Sequence, residues 1–335
     1  MSKISLIKTK EYLVSVIIVN WNGAQVLKGC LKSVLELNHK NIEIIIVDNG
    51  STDNSVNVIN HICGDKANII KLEKNIGFAA GMNIGFENAK GMFIASLNND
   101  MIVEPSWLDQ PLELMLNDSS VGIISCRQMN YYDRTKIDGL YHHITKELIF
   151  MPFVGKGQIF ENDALFLEPG YVISANGGSA ILKKETVKTL GGYDGNFFGY
   201  MEETDFCLRA FLHGWRCVYA PDSVVYHMDG FSFKKNIKHK YYLLIRNKIW
   251  LIYKNFPVKD ILKRLPFILA IELRSFIVSV VKLRAPQVYL KARFDSFVGL
   301  KHYKKIRKEN IALFEQKRVE FYRFEKHKKL DIITL

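Results

Sequence analysis

Four apolar, largely β-branched runs within the first hundred residues each stop abruptly at side-chain amides or carboxylates, and this rhythm restricts the fold more than any other feature. Val14–Val19 runs into Asn20-Trp21-Asn22-Gly23, Glu43–Val47 into Asp48-Asn49-Gly50-Ser51, Asn68–Leu72 into Asn75-Ile76-Gly77, and Met92–Ala95 into Ser96-Leu97-Asn98-Asn99-Asp100. Runs without polar alternation suit strands buried on both faces. Between them lie helical spacings, Leu27, Leu31, Val34 and Leu35 after Gly23, then Val56, Ile59 and Ile62 behind Asp53, which can cap that helix. Strands alternating with helices predict an α/β fold, a Rossmann-like, mostly parallel sheet flanked by helices. In such sheets ligands bind at the carboxyl edge, where these polar residues fall.

Asp100 is a candidate metal ligand there, and Asp48 shares its edge. Gly77 and Gly81 let backbone approach a ligand at a helix start. Each feature also has an ordinary explanation: Asn or Asp caps helices, Asp-Asn-Gly makes turns, and glycines ease packing. No GxGxxG follows the first strand, which argues against a nicotinamide or flavin cofactor.

Further along, residues 105–117 carry a helical pattern begun by Pro105, and Val121–Ser125 reads as a strand. From Arg127 to Pro169 periodicity dissolves; long irregular segments often shape a substrate site. His142-His143 in this stretch reads as a loop feature, with no partner at metal-ligand spacing. Order returns with strands at Tyr171–Ala175 and Ile181-Leu182, around the small residues Asn176–Ala180. A helix then starts at Glu202-Glu203-Thr204-Asp205 and stops at Gly214. Asp205 and Arg209 are four apart and can pair, leaving Glu202 and Glu203 to face a cleft. Val224–His227 is a last strand ending in histidine.

The five cysteines form no CxxC pair, which indicates neither a disulfide framework nor a cysteine zinc site and fits a reducing cytosol. Met1–Lys10 lacks an apolar signal core, so no export is expected. The net charge of +12 is uneven: residues 231–335 hold 26 Lys+Arg against 8 Asp+Glu, whereas the first 230 hold 20 against 26. A slightly acidic front half argues against a nucleic-acid binder. In the basic tail, Tyr242, Ile245, Ile249, Ile252 and Phe256 form one helical stripe, and Leu262, Leu265, Leu269, Leu273, Phe276, Val280 and Leu283 form another. Glu272 and Arg274, each costing about 2.5–3.5 kcal/mol at a bilayer centre, and Pro266 argue against a membrane span. With Lys301, Lys304, Lys305, Arg307 and Lys308, the pattern suits helices lying on an anionic membrane, or packing on the protein or a second subunit.

Taken together and in this order, the blocks Val14-Ser-Val-Ile-Ile-Val-Asn-Trp-Asn-Gly23, Val47–Asp53, Asn75-x-Gly77-Phe78, Leu97–Asp100 and Glu202–Arg209 resemble family 2 inverting glycosyltransferases, most closely the rhamnosyltransferase-like branch. The resemblance covers about residues 13–233. It implies a GT-A fold, a nucleoside-diphosphate sugar donor (UDP- or dTDP-linked) and a divalent cation, Mn²⁺ or Mg²⁺. By position it implies a donor site of Trp21 against the base, Asn22, Asp48 on the pyrimidine N3–H, Asn75, Gly77, Asn83, Asn98 and Asn99. Asp100 and His227 are the implied metal ligands and Glu203 the implied base, with Glu202 and Asp205 as alternates because the family usually has Asp at position 203. The usual DXD is thinned here to Asn98-Asn99-Asp100.

The chemistry accounts for these residue types independently. Displacing a nucleoside diphosphate builds negative charge on the leaving phosphate, which a hard cation neutralises. The attacking hydroxyl must lose a proton, and a positioned carboxylate contributes about 10²- to 10⁴-fold. One base without a protein nucleophile means inversion. The expectation is a catalytic domain over 1–232 (donor half about 13–126, acceptor half about 127–232) and a basic helical region over 233–335. The enzyme is expected in the cytoplasm, peripheral on the inner face of the cell membrane, acting on a glycan or polyprenyl-linked acceptor, with a second copy of itself among the candidate partners. The competing readings are a nucleotidyltransferase, for which Asn20–Gln25 lacks any Lys or Arg on a triphosphate, and a membrane or nucleic-acid adaptor.

Overall fold

The computed structural model describes residues 9, 11–145, 147–148, 150–151, 153–162, 166–228, 237–326 and 331–332. Strands β1 (Val14–Asn20), β2 (Ile42–Asp48), β3 (Ala67–Lys71) and β4 (Phe93–Asn98) alternate with helices α1 (Ala24–Leu35), α2 (Ser55–Cys63) and α3 (Phe78–Asn88). They pair in parallel in the order β4-β1-β2-β3. The next strands are β5 (Met101–Val103), β6 (Val121–Asn130), β7 (Ile137–Gly139), β8 (His143–Ile144), β9 (Phe150–Met151), β10 (Gly170–Val172), β11 (Ile181–Lys183) and β12 (Arg216–His227), with helix α4 (Asp109–Asn117) between β5 and β6. Antiparallel β11 joins β4 to β6, and β12 lies parallel to β6. The α/β fold is thus the expected mostly parallel sheet, with one reversed strand in its middle.

Why the strands are apolar throughout is visible in β1. Val14, Val16 and Ile18 pack with α1 and α2 on one face, while Ile17 and Val19 pack with α3 on the other. Register then sets the edge: Asn20 lies opposite Asp48, Val19 opposite Asn98, and His227 opposite both Met101 and Asn130. Polar residues far apart in sequence therefore arrive at one rim.

Several local expectations shift. Asp53 does more than cap the second helix: its Oδ1 accepts from the Ser55 amide and its Oδ2 from the Ala24 amide, so one carboxylate serves the starts of both α1 and α2. Residues 105–108 are a turn and the helix begins at Asp109. The strand expected at Val121–Ser125 runs on to Asn130. The segment 127–169 holds short strands β7 to β9.

After α5 (Lys184–Leu190) and α6 (Glu202–Leu212), the tail folds into α7 (Ile237–Asn255), α8 (Val258–Lys263), α9 (Leu265–Val281), α10 (Pro286–Gly299) and α11 (Lys304–Lys326). Pro266 sits in the first turn of α9, where proline's missing N–H costs nothing, so it begins that helix and does not interrupt it. The stripe on α7 is internal: Ile245, Ile252 and Phe256 join Met201, Leu208 and Phe211 of the α6 region, together with Phe314 and Phe321 of α11, in one cluster. A short strand, β13 (Asp331–Ile332), returns to pair with β10. Among the described residues no helix is long and apolar enough to cross a membrane.

Candidate active site

At the rim, Asn20 links two strand ends. Its Nδ2 donates to Asp48 Oδ1 at 3.0 Å and its Oδ1 accepts from Asn99 Nδ2 at 2.8 Å, which holds the Asp48 and Asn99 loops together. Gly23 must be glycine here, because a Cβ would stand 2.3 Å from Asn20 Oδ1 and 2.2 Å from Asn99 Nδ2. Trp21, 46% exposed, projects beside this pair as an open indole surface. Asn22 adopts a left-handed backbone (φ 50°), and its Oδ1 accepts from the Thr52 amide. Asn75 Oδ1 accepts from the Gly77 amide at 2.9 Å, building the turn into α3. Asn83 belongs elsewhere: its Nδ2 donates to the Tyr193 carbonyl and its Oδ1 accepts from the Tyr193 amide, both at 2.8 Å. It braces α3 to the 193 loop, and its polar atoms are not brought to the donor edge.

Asp100, buried, meets His227 at the end of β12, with Oδ2 and Nε2 3.6 Å apart. Behind the ring, His227 Nδ1 lies 2.6 Å from Asp138 Oδ2, and Lys156 Nζ donates to Asp138 Oδ1 at 2.6 Å. Burial disfavours the imidazolium, but hydrogen bonds and charge from Asp100 and Asp138 outweigh it and raise the His227 pKa to about 10, so a cation binding at Nε2 would have to displace that proton. Burial would raise the Asp138 carboxyl; His227 and Lys156 overcome this and lower it. A carboxylate on one ring nitrogen fixes the histidine so that the other faces Asp100. Among the described residues no three His, Cys, Asp or Glu side chains are grouped so as to hold a metal ion. Asp138 was invisible in the sequence; β7 delivers it from the irregular stretch.

Glu203 lies in the first turn of α6, in a region packed by a turn of small residues, Asn176–Ser179. A Cβ on Gly177 would come within 2.9 Å of the Glu203 side chain, and one on Gly178 within 2.5 Å of Met101 and 3.0 Å of Asn98 Nδ2. The same turn thus touches Glu203 on one side and the Asn98–Met101 stretch on the other. Its amides are locked by Asn176 Nδ2 donating to Gln128 Oε1 (2.6 Å) and Gln128 Nε2 donating to Ser179 Oγ (2.8 Å). His142, read from sequence as a loop feature, is buried with its Nδ1 2.9 Å from Glu203 Oε1. Its Nε2 is buried without a partner, between the rings of Phe150 and Phe153.

The two alternates separate cleanly. Glu202, also expected to face a cleft, is buried with Oε2 unpartnered; burial and then the charge of Glu203 push its pKa well above the usual carboxylate range, favouring the protonated form. Asp205 makes the expected pair with Arg209 (Nε to Oδ2, 2.9 Å), and its oxygens also accept from Lys254 Nζ (2.9 Å) and Asn255 Nδ2 (3.0 Å). Although burial opposes ionisation, Lys254 and Arg209 lower its pKa to about 2. A carboxylate spent on two cations is a structural anchor, not a free base.

The chain leading into α6 is strained. Phe198, Tyr200 and Met201 all have positive φ, at 66°, 67° and 71°, while Gly199 between them does not. Helix α7 holds them: buried Asn247 Nδ2 lies 3.0, 2.9 and 2.8 Å from the carbonyls of Phe197, Gly199 and Tyr200, and Arg246 Nη2 donates to Asn196 and Phe197. The Phe198 carbonyl accepts from the Ala79 amide at the start of α3, and a Cβ on Gly77 would stand 2.5 Å from it.

Residues 15–184 match the family model for Glycosyl transferase family 2. The chain belongs to this family. It is therefore a glycosyltransferase with a GT-A fold and a helical C-terminal region. It is 38% identical over 113 residues to an uncharacterized glycosyltransferase of Nostoc sp., covering 33% of this chain and 35% of the relative. It is also 29% identical over 136 residues to glycosyltransferase GlyG of Streptococcus pneumoniae, covering 40% and 44%. The matched stretches thus span well under two thirds of these relatives. Among solved structures, residues 1–349 of S. aureus TarS in complex with UDP-GlcNAc superpose with a TM-score of 0.58 at 16% identity, over 94% of this chain and 90% of that one. The mannosyltransferase PcManGT of Pyrobaculum calidifontis, in complex with GDP-Man and Mn²⁺, gives 0.55 at 14% identity over 95% and 87%.

Proposed function

We propose that this family 2 glycosyltransferase moves a sugar, with inversion, from a UDP- or dTDP-linked donor to a hydroxyl of a cell-surface polysaccharide or a polyprenyl-linked glycan. The observation that carries this is the Asn176–Ser179 turn, which packs Glu203 against one side and the Asn98–Met101 stretch against the other. A base and a diphosphate site on opposite sides of one turn is what a single displacement at an anomeric carbon requires. Trp21 would stack on the base, Asp48 would accept from its N3–H, and Asn22, Asn75, Gly77, Asn98 and Asn99 would shape the donor edge. Support for a nucleotide-sugar donor comes from TarS with UDP-GlcNAc and PcManGT with GDP-Man. Rhamnose is the sugar favoured by the ordered motif blocks.

Asp100 and His227 fit a divalent cation, Mn²⁺ or Mg²⁺, which when bound would supply charge neutralisation for the departing diphosphate. Glu203 accepts the acceptor's hydroxyl proton as the new glycosidic bond forms; His142 on Oε1 aims the carboxylate. Glu202, kept protonated, adds no second charge beside it. Residues 1–232 form the catalytic part, donor half about 13–126 and acceptor half about 127–232. Of the basic region 233–335, α7 and α11 pack on the α6 region, and the remaining surface would meet an anionic membrane on the cytoplasmic side of the cell membrane, or a second subunit. The test is Glu203→Gln and Asp100→Ala in a transfer assay with a screen of sugar nucleotides and Mn²⁺. The proposal expects losses of about 10²-fold or more in each, with nucleotide binding retained in Glu203→Gln. Near wild-type transfer by either variant would remove that residue from its role.

A further inference from the structure

Helix α9 is built inside out. Its acid and a serine point inward while its one cation, Arg274, stays exposed: Glu272 is paired with Lys248 at 2.7 Å and with Arg293, and accepts from Tyr289 Oη at 3.0 Å, and Ser279 is fully buried. Its apolar residues point outward. Phe267, Leu269, Leu273 and Ile277 on α9, with Leu290 and Phe294 on α10, are 49–69% exposed. The two helices pack side by side through Phe276 and Tyr289, ring centroids 5.4 Å apart, so their outer faces form one apolar surface. A helix in water buries its apolar stripe; this pair exposes it, and turns its acid Glu272 inward.

The charges around that surface say what covers it. Every exposed charged side chain from 258 to 308 is basic, including Lys259, Lys263, Arg274, Lys282, Lys291 and Lys301, and the first exposed acid after them is Glu309 on α11. The three acids of that span, Asp260, Glu272 and Asp295, are all withdrawn into ion pairs. A second copy docking here would bring basic rim against basic rim. An anionic bilayer matches both properties, since its headgroups attract the lysines and its acyl boundary receives the leucines and phenylalanines. A nucleic acid would satisfy the charge and leave the apolar surface in water. Because α9 has 17 residues and carries Glu272 near its middle, the pair lies in the plane of the interface and does not span it.

We propose that α9 and α10 form a membrane-seating hairpin, inserted to the acyl boundary of an anionic leaflet by its apolar face and held there by its basic rim. This deepens, and rests on, the peripheral-membrane part of the function proposed above. It also divides the tail's labour, because α7 serves the active site and α9–α10 the lipid.

The test floats the full chain on mixed phosphatidylglycerol–phosphatidylcholine vesicles and on pure phosphatidylcholine. The proposal expects at least about tenfold tighter binding to the mixed vesicles, weakening as salt rises. Leu273→Glu/Phe294→Glu should reduce that binding at least about tenfold. Lys263→Glu/Lys282→Glu should remove mainly the anionic preference, each charge reversal costing about fivefold or more. A wild-type dimer in light scattering that Leu273→Glu/Phe294→Glu dissolves, without vesicle binding, would overturn the proposal, as would preference for RNA over vesicles or no binding at all. Nucleotide release from the sugar nucleotide, measured on the same samples without vesicles, keeps the two readings apart. Lost flotation with intact release refutes the hairpin alone, and absent release with intact flotation refutes the transferase assignment alone.

Discussion

Replacing Asn247 by alanine removes the amide that holds the loop before α6. Its two N–H groups serve three carbonyls, of which Phe197 keeps Arg246 as a partner while those of Gly199 and Tyr200 are left with none of the clamp's contacts. An unpaired buried carbonyl costs about 1–3 kcal/mol, so two orphans amount to roughly 3 kcal/mol after partial relaxation. For a chain of this size that lowers the thermal midpoint by about 5 °C. The larger effect is kinetic. Three left-handed non-glycine residues store about 1–3 kcal/mol each, and without the clamp that strain is relieved by moving the first turn of α6. A shift of about 1 Å at a reacting group costs about 10²-fold, so kcat for transfer should fall by about that factor. Donor affinity, which the proposed function assigns to the Asp48 edge, should stay within about threefold. Thermal denaturation, nucleotide titration and steady-state transfer on one preparation measure all three. Adding Met201→Gly should recover part of the midpoint and none of kcat, because it relaxes the backbone without restoring its position. A variant that loses the 5 °C yet keeps kcat within about twofold would refute the link from loop strain to base placement.

Other outcomes follow from the same geometry. Gly177→Ala places a methyl within 2.9 Å of Glu203 and should cut kcat at least about tenfold with a fold intact by circular dichroism. Asp138→Asn should weaken Mn²⁺ binding, followed by calorimetry in the presence of the nucleoside diphosphate, by about 10- to 100-fold, since it loosens the ring behind His227. Asp205 titrates at about 2 folded against 3.8 for an ordinary aspartate. A depressed folded pKa gives stability that is complete above the unfolded value and is lost as pH falls from about 4 through 2, here about 2 kcal/mol. Denaturation as a function of pH should show that acid loss in the wild type and a flatter profile in Asp205→Asn, which starts about 3 kcal/mol lower because buried Arg209 loses its carboxylate while Lys254 keeps Asp194.

The polar rim of the sheet was legible because its signals are local. A strand that ends in Asp48 or Asp100 announces itself within six residues, and parallel pairing brings such ends together without further information. The i,i+4 pairing of Asp205 with Arg209 was equally local and is observed. His142, Asp138 and Asn247 carry no such signal. His142 meets Glu203 from 61 positions away, out of a stretch without periodicity, and Asn247 acts from a helix whose apolar stripe explains its fold without that residue. The Phe-Phe-Gly-Tyr-Met stretch even misleads, since a reader places the left-handed turn at Gly199 and the structure places it on the residues around it. Periodicity found the tail helices but could not say which way their stripes face. On α7 the stripe is buried and on α9 it is outside, and Glu272, counted from sequence as a penalty against lipid, is turned inward to Lys248 and Arg293.

The contact of Phe198 with Gly77 joins the two halves of the site through a glycine that cannot carry a side chain. In terms of inheritance, these positions travel together. A crossover between relatives near residue 184, where the family-matched segment ends, would bring a Gly77 from one parent against a 198 loop from the other. Recombinants should survive only where the incoming partner is also glycine at 77, whatever the overall identity of the parents.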